Sequence, residues 1–233
     1  MTNTHYLYND NIGKVELIQS MGEDITVVNS ARVSFGVQKD SLDEKDKKLI
    51  NYLIKHRHTS TLEHNVATFR IKVPLFVRSQ HHRHRTWSYN EISRRYTDSD
   101  LQFYIPQSYR TQHTSNRQAS NTKDFINPQM EVYNIELESR LCNEAVSHHV
   151  DSSLSLFEDM IRKGVAREQA RMVLPQNLYT EYYATSNLNN ILKFINLRSH
   201  EGAQWEIQQL SNKILEIITD LWPITISAYN AVN

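Results

Sequence analysis

The residues best suited to chemistry are concentrated between Gln80 and Tyr96, where QHHRHRTWSYNEISRRY sets four arginines and three histidines around one carboxylate, Glu91. Arginine offers a planar fork of donors matched to phosphate or carboxylate oxygens, and a histidine such as His84 can donate a hydrogen bond or stack on a planar ring. Together they suit a phosphorylated aromatic ligand. Trp87, Tyr89 and Tyr96 bring aromatic faces to the same run. The bland alternative is a solvated helix face with Glu91 and Arg95 as an i,i+4 pair. Ser88, Asn90 and Ser93 count against it, because they compete for backbone hydrogen bonds inside helices and read as loop residues. A metal site drawn from His56, His58, His64, His81, His82 and His84 is also disfavoured. Adjacent His81 and His82 diverge on any regular element, no H-E-x-x-H pattern occurs, and Arg83 and Arg85 would repel a cation.

The elements that must position this cluster are legible around it. Leu42, Leu49, Ile50, Leu53 and Ile54 recur at helical spacing, with acidic residues early and Lys55 and His56 late, which predicts a helix over 42–56. Ala67, Phe69, Ile71 and Val73 alternate with polar residues as in a half-buried strand, and Pro74 ends that strand and opens a helix leading into the basic cluster. Residues 108–127 are polar and read as a loop or lid. Long helices are expected over about 130–163 and 203–222, shorter ones over 165–173 and 188–197, and a strand over 178–185. The sum is a single mixed α/β domain over 1–233, a small central sheet flanked by long helices.

Composition narrows the function. Twenty-six basic residues balance 26 acidic ones, so the chain has no general polyanion-binding surface and any anion site is local. A nucleic-acid reading, with Arg83, Arg85, Arg94 and Arg95 on phosphates and Trp87 and Tyr89 stacking on bases, is weakened by that balance and by Glu91 inside the patch. The one cysteine, Cys142, excludes an internal disulfide framework and fits a reducing compartment, with the cytoplasm as the expected location. No apolar run approaches a membrane span. The five isolated glycines cannot form a dinucleotide fingerprint or a phosphate-binding loop, so side chains must hold any phosphate.

Arg83-His84-Arg85, seven residues and then Ser93, within R-H-R-x-x-S-x-N-E-x-S-x-R-Y, resembles the signature of flavin-dependent thymidylate synthases. The resemblance extends to Ala31-Arg32-Val33-Ser34-Phe35, to His58 with Glu63-His64, to Ala170-Arg171-Met172-Val173-Leu174-Pro175, and to Asn196-Leu197-Arg198 followed by Ala203-Gln204-Trp205-Glu206. It implies that dUMP is held by Gln80, His81, His82, Arg83, Glu91, Ser93, Arg94, Arg95, Arg171 and Arg198. It implies FAD contacts at Ser60, Arg83, His84, Arg85, Glu91, Asn187, Asn189 and Lys193, with no metal. Arg198 is expected to activate the uracil ring, since a guanidinium stays charged and can stabilise developing negative charge.

The same resemblance implies reduced FAD as hydride donor, NADPH as its reductant, 5,10-methylenetetrahydrofolate as carbon donor, and a homotetramer whose sites are shared between subunits. No enzymic nucleophile is needed: Cys142 is expected mid-helix in a packing role, and Ser93 has no base partner evident in sequence. Two positions depart from the pattern. Lys193 stands where relatives commonly carry an asparagine, and Gly202 where many carry a histidine.

Overall fold

Phe69, Ile71 and Val73, buried on one face of an extended segment, and Tyr182 and Ala184 on the segment paired with it form the centre of the protein. The structure, a computed structural model, describes residues 4–93, 95, 100–133 and 137–232. Its strands are β1 (Thr4–Tyr6), β2 (Lys14–Met21), β3 (Val66–Pro74), β4 (Ser88–Glu91), β5 (Tyr109–Gln112), β6 (Ser120–Ile126), β7 (Gln129–Tyr133), β8 (Leu137–Leu141) and β9 (Tyr179–Asn187). Its helices are α1 (Asp24–Arg32), α2 (Glu44–Lys55), α3 (Leu75–His81), α4 (Cys142–Arg162), α5 (Arg167–Ala170), α6 (Leu188–Arg198), α7 (Trp205–Leu221) and α8 (Pro223–Asn230). A five-stranded antiparallel sheet runs β1-β2-β3-β9-β4, and two separate hairpins are β5-β6 and β7-β8.

The main core lies between this sheet and α6, α7 and α8, with Phe194, Ile207, Leu210, Ile214 and Trp222 sealed from solvent. A smaller cluster, Phe157, Ala170, Leu174 and Leu178, fastens α4 and α5 to the start of β9. Among the described residues no helix is long and apolar enough to cross a membrane.

The mixed α/β architecture is as the sequence predicts, and the helix over 42–56 and the strands over 67–73 and 178–185 are found near those bounds. Three expectations are corrected. Residues 108–127 contain the β5-β6 hairpin; both of its faces are largely solvated, so no alternating apolar signal marks it. The helix expected from Met130 begins only at Cys142, and the β7-β8 hairpin precedes it. Met130, Tyr133, Leu137 and Leu141, three or four apart, imitate a helical stripe that the hairpin pairing overrides. The helix expected over 165–173 is a short α5 and a single 3-10 turn, Arg171–Val173, halted before Pro175.

The Ala31–Phe35 landmark is anchored by charge. Asp46, inside α2 with no exposed side-chain surface, receives Arg32 Nη2 at 2.5 Å and also binds Lys39. Burial alone would push its carboxyl pKa up. Hydrogen bonds from Lys39, the Asp43 backbone N–H and Arg32 outweigh burial and bring it below the usual carboxylate value. The stabilisation is therefore present above the unfolded pKa of about 3.9 and is lost as pH falls through the folded pKa. Asp46→Asn should lower the urea midpoint at pH 7 and shrink the wild type's loss of stability on acidification from about pH 5 to pH 3. An unchanged midpoint at pH 7 would show that the ion pair adds nothing.

Candidate active site

The signature folds as the end of α3, a tight turn and the edge strand β4. On an edge strand polar side chains need cover on only one side, so Ser88 and Asn90 stand exposed in strand geometry where loop residues were expected. The register Glu91↔Tyr182 brings Glu91 beside β9. There its Oε1 accepts from Arg78 Nε at 2.9 Å and from Thr180 Oγ1 at 2.6 Å. Glu91 thus pairs with Arg78 across α3 and β4, and the strand geometry rules out an i,i+4 helical pair with Arg95.

Glu91 sits on the wall of an open cleft of about 670 Å³ that also gathers Arg78, Ser93, Arg95, Arg171 and Thr180. Ser93 Oγ accepts the Arg95 backbone N–H at 3.3 Å. Arg171, on its 3-10 turn, donates to the Glu168 carbonyl at 3.4 Å and, among the described residues, has no other hydrogen bond and no ion pair. A cleft with more guanidinium than carboxylate charge suits an anionic group such as phosphate.

A second cluster lies at the turn after α3. Tyr89 Oη donates to the carbonyls of His81 and His84, at 2.9 and 3.0 Å, and pins that turn. Arg198, the last residue of α6, donates from Nε to His84 Nε2 at 3.1 Å and from Nη2 to the Gln80 carbonyl at 3.3 Å. His84 can accept this bond only with Nε2 unprotonated. Burial, followed by the Arg198 charge, lowers its pKa to about 4, so the ring is neutral at neutral pH and orients the guanidinium. The Gln80 side chain turns to Gln204.

Two residues, one assigned to ligand contact and one to an aromatic wall, are placed elsewhere. His81 has no exposed surface and bonds Tyr182 Oη through Nδ1 at 2.8 Å. It therefore reaches no ligand and props the wall from behind. Trp87 is buried at 5% exposure and packs against Phe69, Phe194 and His81. His82 is half-buried, its ring 4.1 Å from that of Tyr89. Arg94 and Tyr96 lie outside the described residues.

The positions expected to hold flavin gather partly around the start of α6. Ser60 is exposed on the 3-10 turn Thr59–Leu62, which packs on α6, and Lys193 is exposed along the same helix. Asn187 caps α6 by accepting from the Asn190 N–H, and Asn189, 5% exposed, donates to Glu63 Oε1 at 2.9 Å. Both amides are already engaged within the chain. Arg83 and Arg85 are exposed and form no ion pair with a described carboxylate, which fits an anionic cofactor held by side chains.

Arg78 and Gln204 were not singled out from sequence as site residues. Arg78 is the one charge in the otherwise apolar opening of α3, a usable signal, whereas nothing in sequence marks Gln204 as reaching Gln80. Cys142, expected mid-helix, is the first residue of α4. Cys142 lies near Tyr109 and does not line the arginine cleft; burial, followed by Cys142, pushes the Tyr109 hydroxyl up to about 12.

An arginine-rich cleft assembled on an edge strand of an α/β domain, in a chain with no phosphate-binding glycine loop, defines the class. The family model described as thymidylate synthase complementing protein matches residues 16–224. A flavin-dependent thymidylate synthase of Thermotoga neapolitana is 41% identical over 218 residues, 93% of this chain and 90% of that one. Another from Borreliella burgdorferi is 35% identical over 237 residues, 97% of this chain and 83% of that one. A crystal structure of the UMP/dUMP methylase PolB from Streptomyces cacaoi, bound with 5-Br dUMP, superposes with a TM-score of 0.77 at 29% identity, covering 93% of this chain and 94% of that one. The chain belongs to the flavin-dependent thymidylate synthase family and is an enzyme of dTMP synthesis.

The neutral His84 is directly testable. In an NMR titration its ring should change charge near pH 4, and Arg198→Gln, by removing one depressing cause, should raise that midpoint toward 6.5. Its folded pKa lies below the unfolded one, so this ring loses stability for the protein as pH falls from 6.5 toward 4. A midpoint above 6.5 in the wild type would overturn its role as acceptor.

Proposed function

We propose that this chain methylates dUMP reductively to dTMP in the cytoplasm, with FAD as cofactor and NADPH and 5,10-methylenetetrahydrofolate as co-substrates. The observation that carries the reading is the cleft in which Arg78, Arg95 and Arg171 surround Glu91 and Ser93. Its guanidinium excess matches a nucleotide phosphate, with Arg171 free to approach it and Ser93 able to donate its hydroxyl. The Ser93 Oγ lone pair is already engaged by the Arg95 N–H, which favours positioning over nucleophilic attack.

Arg198 belongs at the uracil. Its guanidinium, aimed by neutral His84 and the Gln80 carbonyl, can stabilise the charge that develops when the ring becomes nucleophilic at C5. Arg83 and Arg85 would hold the anionic part of the flavin with Ser60 near the pyrophosphate, and Asn187 and Asn189 at the start of α6 would lie on its adenosine side. When bound and reduced, the flavin supplies a hydride equivalent, and the folate supplies the carbon.

Arg78 and Gln80 lie roughly 200° apart around α3, so the phosphate cleft and the Arg198 cluster open to opposite faces of one chain. That separation supports a homotetramer in which a complete site joins the cleft of one subunit to the Arg198 cluster of another. Exposed apolar residues beside site residues support it further: Met172 next to Arg171 is 74% exposed, and Leu197 next to Arg198 is 57% exposed.

Tritium release from [5-³H]dUMP by the FAD-loaded protein should require both NADPH and methylenetetrahydrofolate, and release independent of the reductant would sink the flavin route. Within that assay Arg171→Ala should raise KM for dUMP about tenfold or more, the worth of a charged hydrogen bond to phosphate, with kcat less affected. Arg198→Ala should instead lower kcat by about 10²–10³ while FAD absorbance is retained. Equal effects on both parameters in the two variants would contradict the division of roles.

A further inference from the structure

Glu206, buried to 4% exposure in the first turn of α7, has a carboxylate whose two oxygens face different partners. Oε1 accepts from Arg110 Nη2 at 2.6 Å and from Tyr104 Oη at 3.2 Å; Oε2 accepts from Gln204 Nε2 at 2.9 Å. An ionised carboxylate only accepts, so Gln204 must turn its amino group to Glu206 and its carbonyl oxygen to Gln80. That oxygen can be met only by a donor, and Gln80 Nε2 supplies it. Gln80 Oε1 is left as the outward end of the chain, with no hydrogen bond from a described residue, on the residue whose backbone carbonyl anchors Arg198.

We propose that Glu206 is a positioning residue that fixes the donor–acceptor polarity of this amide chain, so that Gln80 presents an acceptor beside Arg198. The group it receives is an N–H or O–H donor of the bound nucleotide. This rests on the dUMP reading above, and the controls below separate the two.

The polarity can be reversed by one substitution. In Glu206→Gln the Arg110 and Tyr104 donors hold the new carbonyl oxygen on their side, which places the new amino group against Gln204. Gln204 must then flip, Gln80 must flip after it, and Nε2 replaces Oε1 at the outward end. No other described hydrogen bond of either side chain opposes the flip. Gln80→Glu in that background restores an outward oxygen, since a carboxylate can accept from the flipped Gln204. Alone, Gln80→Glu sets acceptor against acceptor somewhere along the chain.

The experiment measures kcat and KM for tritium release by wild type, Glu206→Gln, Gln80→Glu and the double variant, with thermal unfolding of each. Glu206→Gln should lose about tenfold or more in kcat/KM while keeping its FAD absorbance, since a donor then meets a donor. The double variant should recover most of that loss, which a merely structural role for Glu206 would not produce. Gln204→Met, which cuts the chain without touching the buried carboxylate, should show a similar loss and none beyond it when combined with Glu206→Gln; it serves as the probe if Glu206→Gln does not fold. An active wild type with unaltered Glu206→Gln and Gln204→Met kinetics, or a double variant no better than either single one, overturns the proposal. An inactive wild type instead removes the dUMP reading on which it rests.

Discussion

The pairing of β3 with β9 is the constraint on which the site depends. The antiparallel register runs unbroken from Val66↔Asn187 to Pro74↔Tyr179, joining segments more than a hundred residues apart. Helix α3 leaves one end of this ladder after Pro74, and α6 leaves the opposite end after Asn187. Both fold back over the sheet. Nine strand residues span about 30 Å, while seven and eleven helical residues span about 10 and 16 Å, so the two helices nearly exhaust the ladder between them. Their C-terminal ends are thus brought together, and Arg198 reaches His84 and Gln80 for geometric reasons before any chemistry is considered.

The same ladder organises the charge. By offering its other edge to β4, β9 sets Thr180 within reach of Glu91, and Arg78 on α3 completes the clasp. Holding the one carboxylate of the signature in this way leaves Arg171 at the cleft without an ion pair to a described carboxylate. On the opposite face of α3 burial keeps His84 neutral beside a cation, where a protonated ring would repel Arg198. The two clusters are therefore held by different means: one by ion pairing of Glu91 with Arg78, the other by desolvation of the His84 ring.

How much of this was legible follows from the same geometry. The amphipathic spacing of Leu49, Ile50 and Leu53 and the alternation of Phe69, Ile71 and Val73 speak for themselves because those segments have one buried side. The β5-β6 hairpin has none, so its residues read as loop. Within the signature the residue types were informative and their shared direction was not. Read in one dimension, Gln80, His81, His82 and Glu91 all seem to surround one ligand, but a helix turns about 100° per residue and a strand alternates. The fate of His81 was in principle readable: it stands four residues after Val77, and both are wholly buried. The reach of Gln204 to Gln80 was not, because it spans 124 positions and depends on how α7 packs.

The two departures from the family pattern can be judged from where they fall. Lys193 projects from the exposed side of α6 and is not needed by the core, so it can meet an anion or water without altering the helix. Gly202 matters more, because it lies in the connection between Arg198 and Gln204. Its backbone N–H donates to His200 Nδ1 at 3.0 Å, and a Cβ at that position would stand 3.3 Å from the same nitrogen. Any larger residue would press on the His200 ring. The connection is tied a second time by Gln208 Nε2, which donates to the Ala203 carbonyl at 2.7 Å. Glycine at 202 therefore lets His200 fold onto its own loop, and the loop so closed fixes the spacing between the guanidinium of Arg198 and the amide of Gln204.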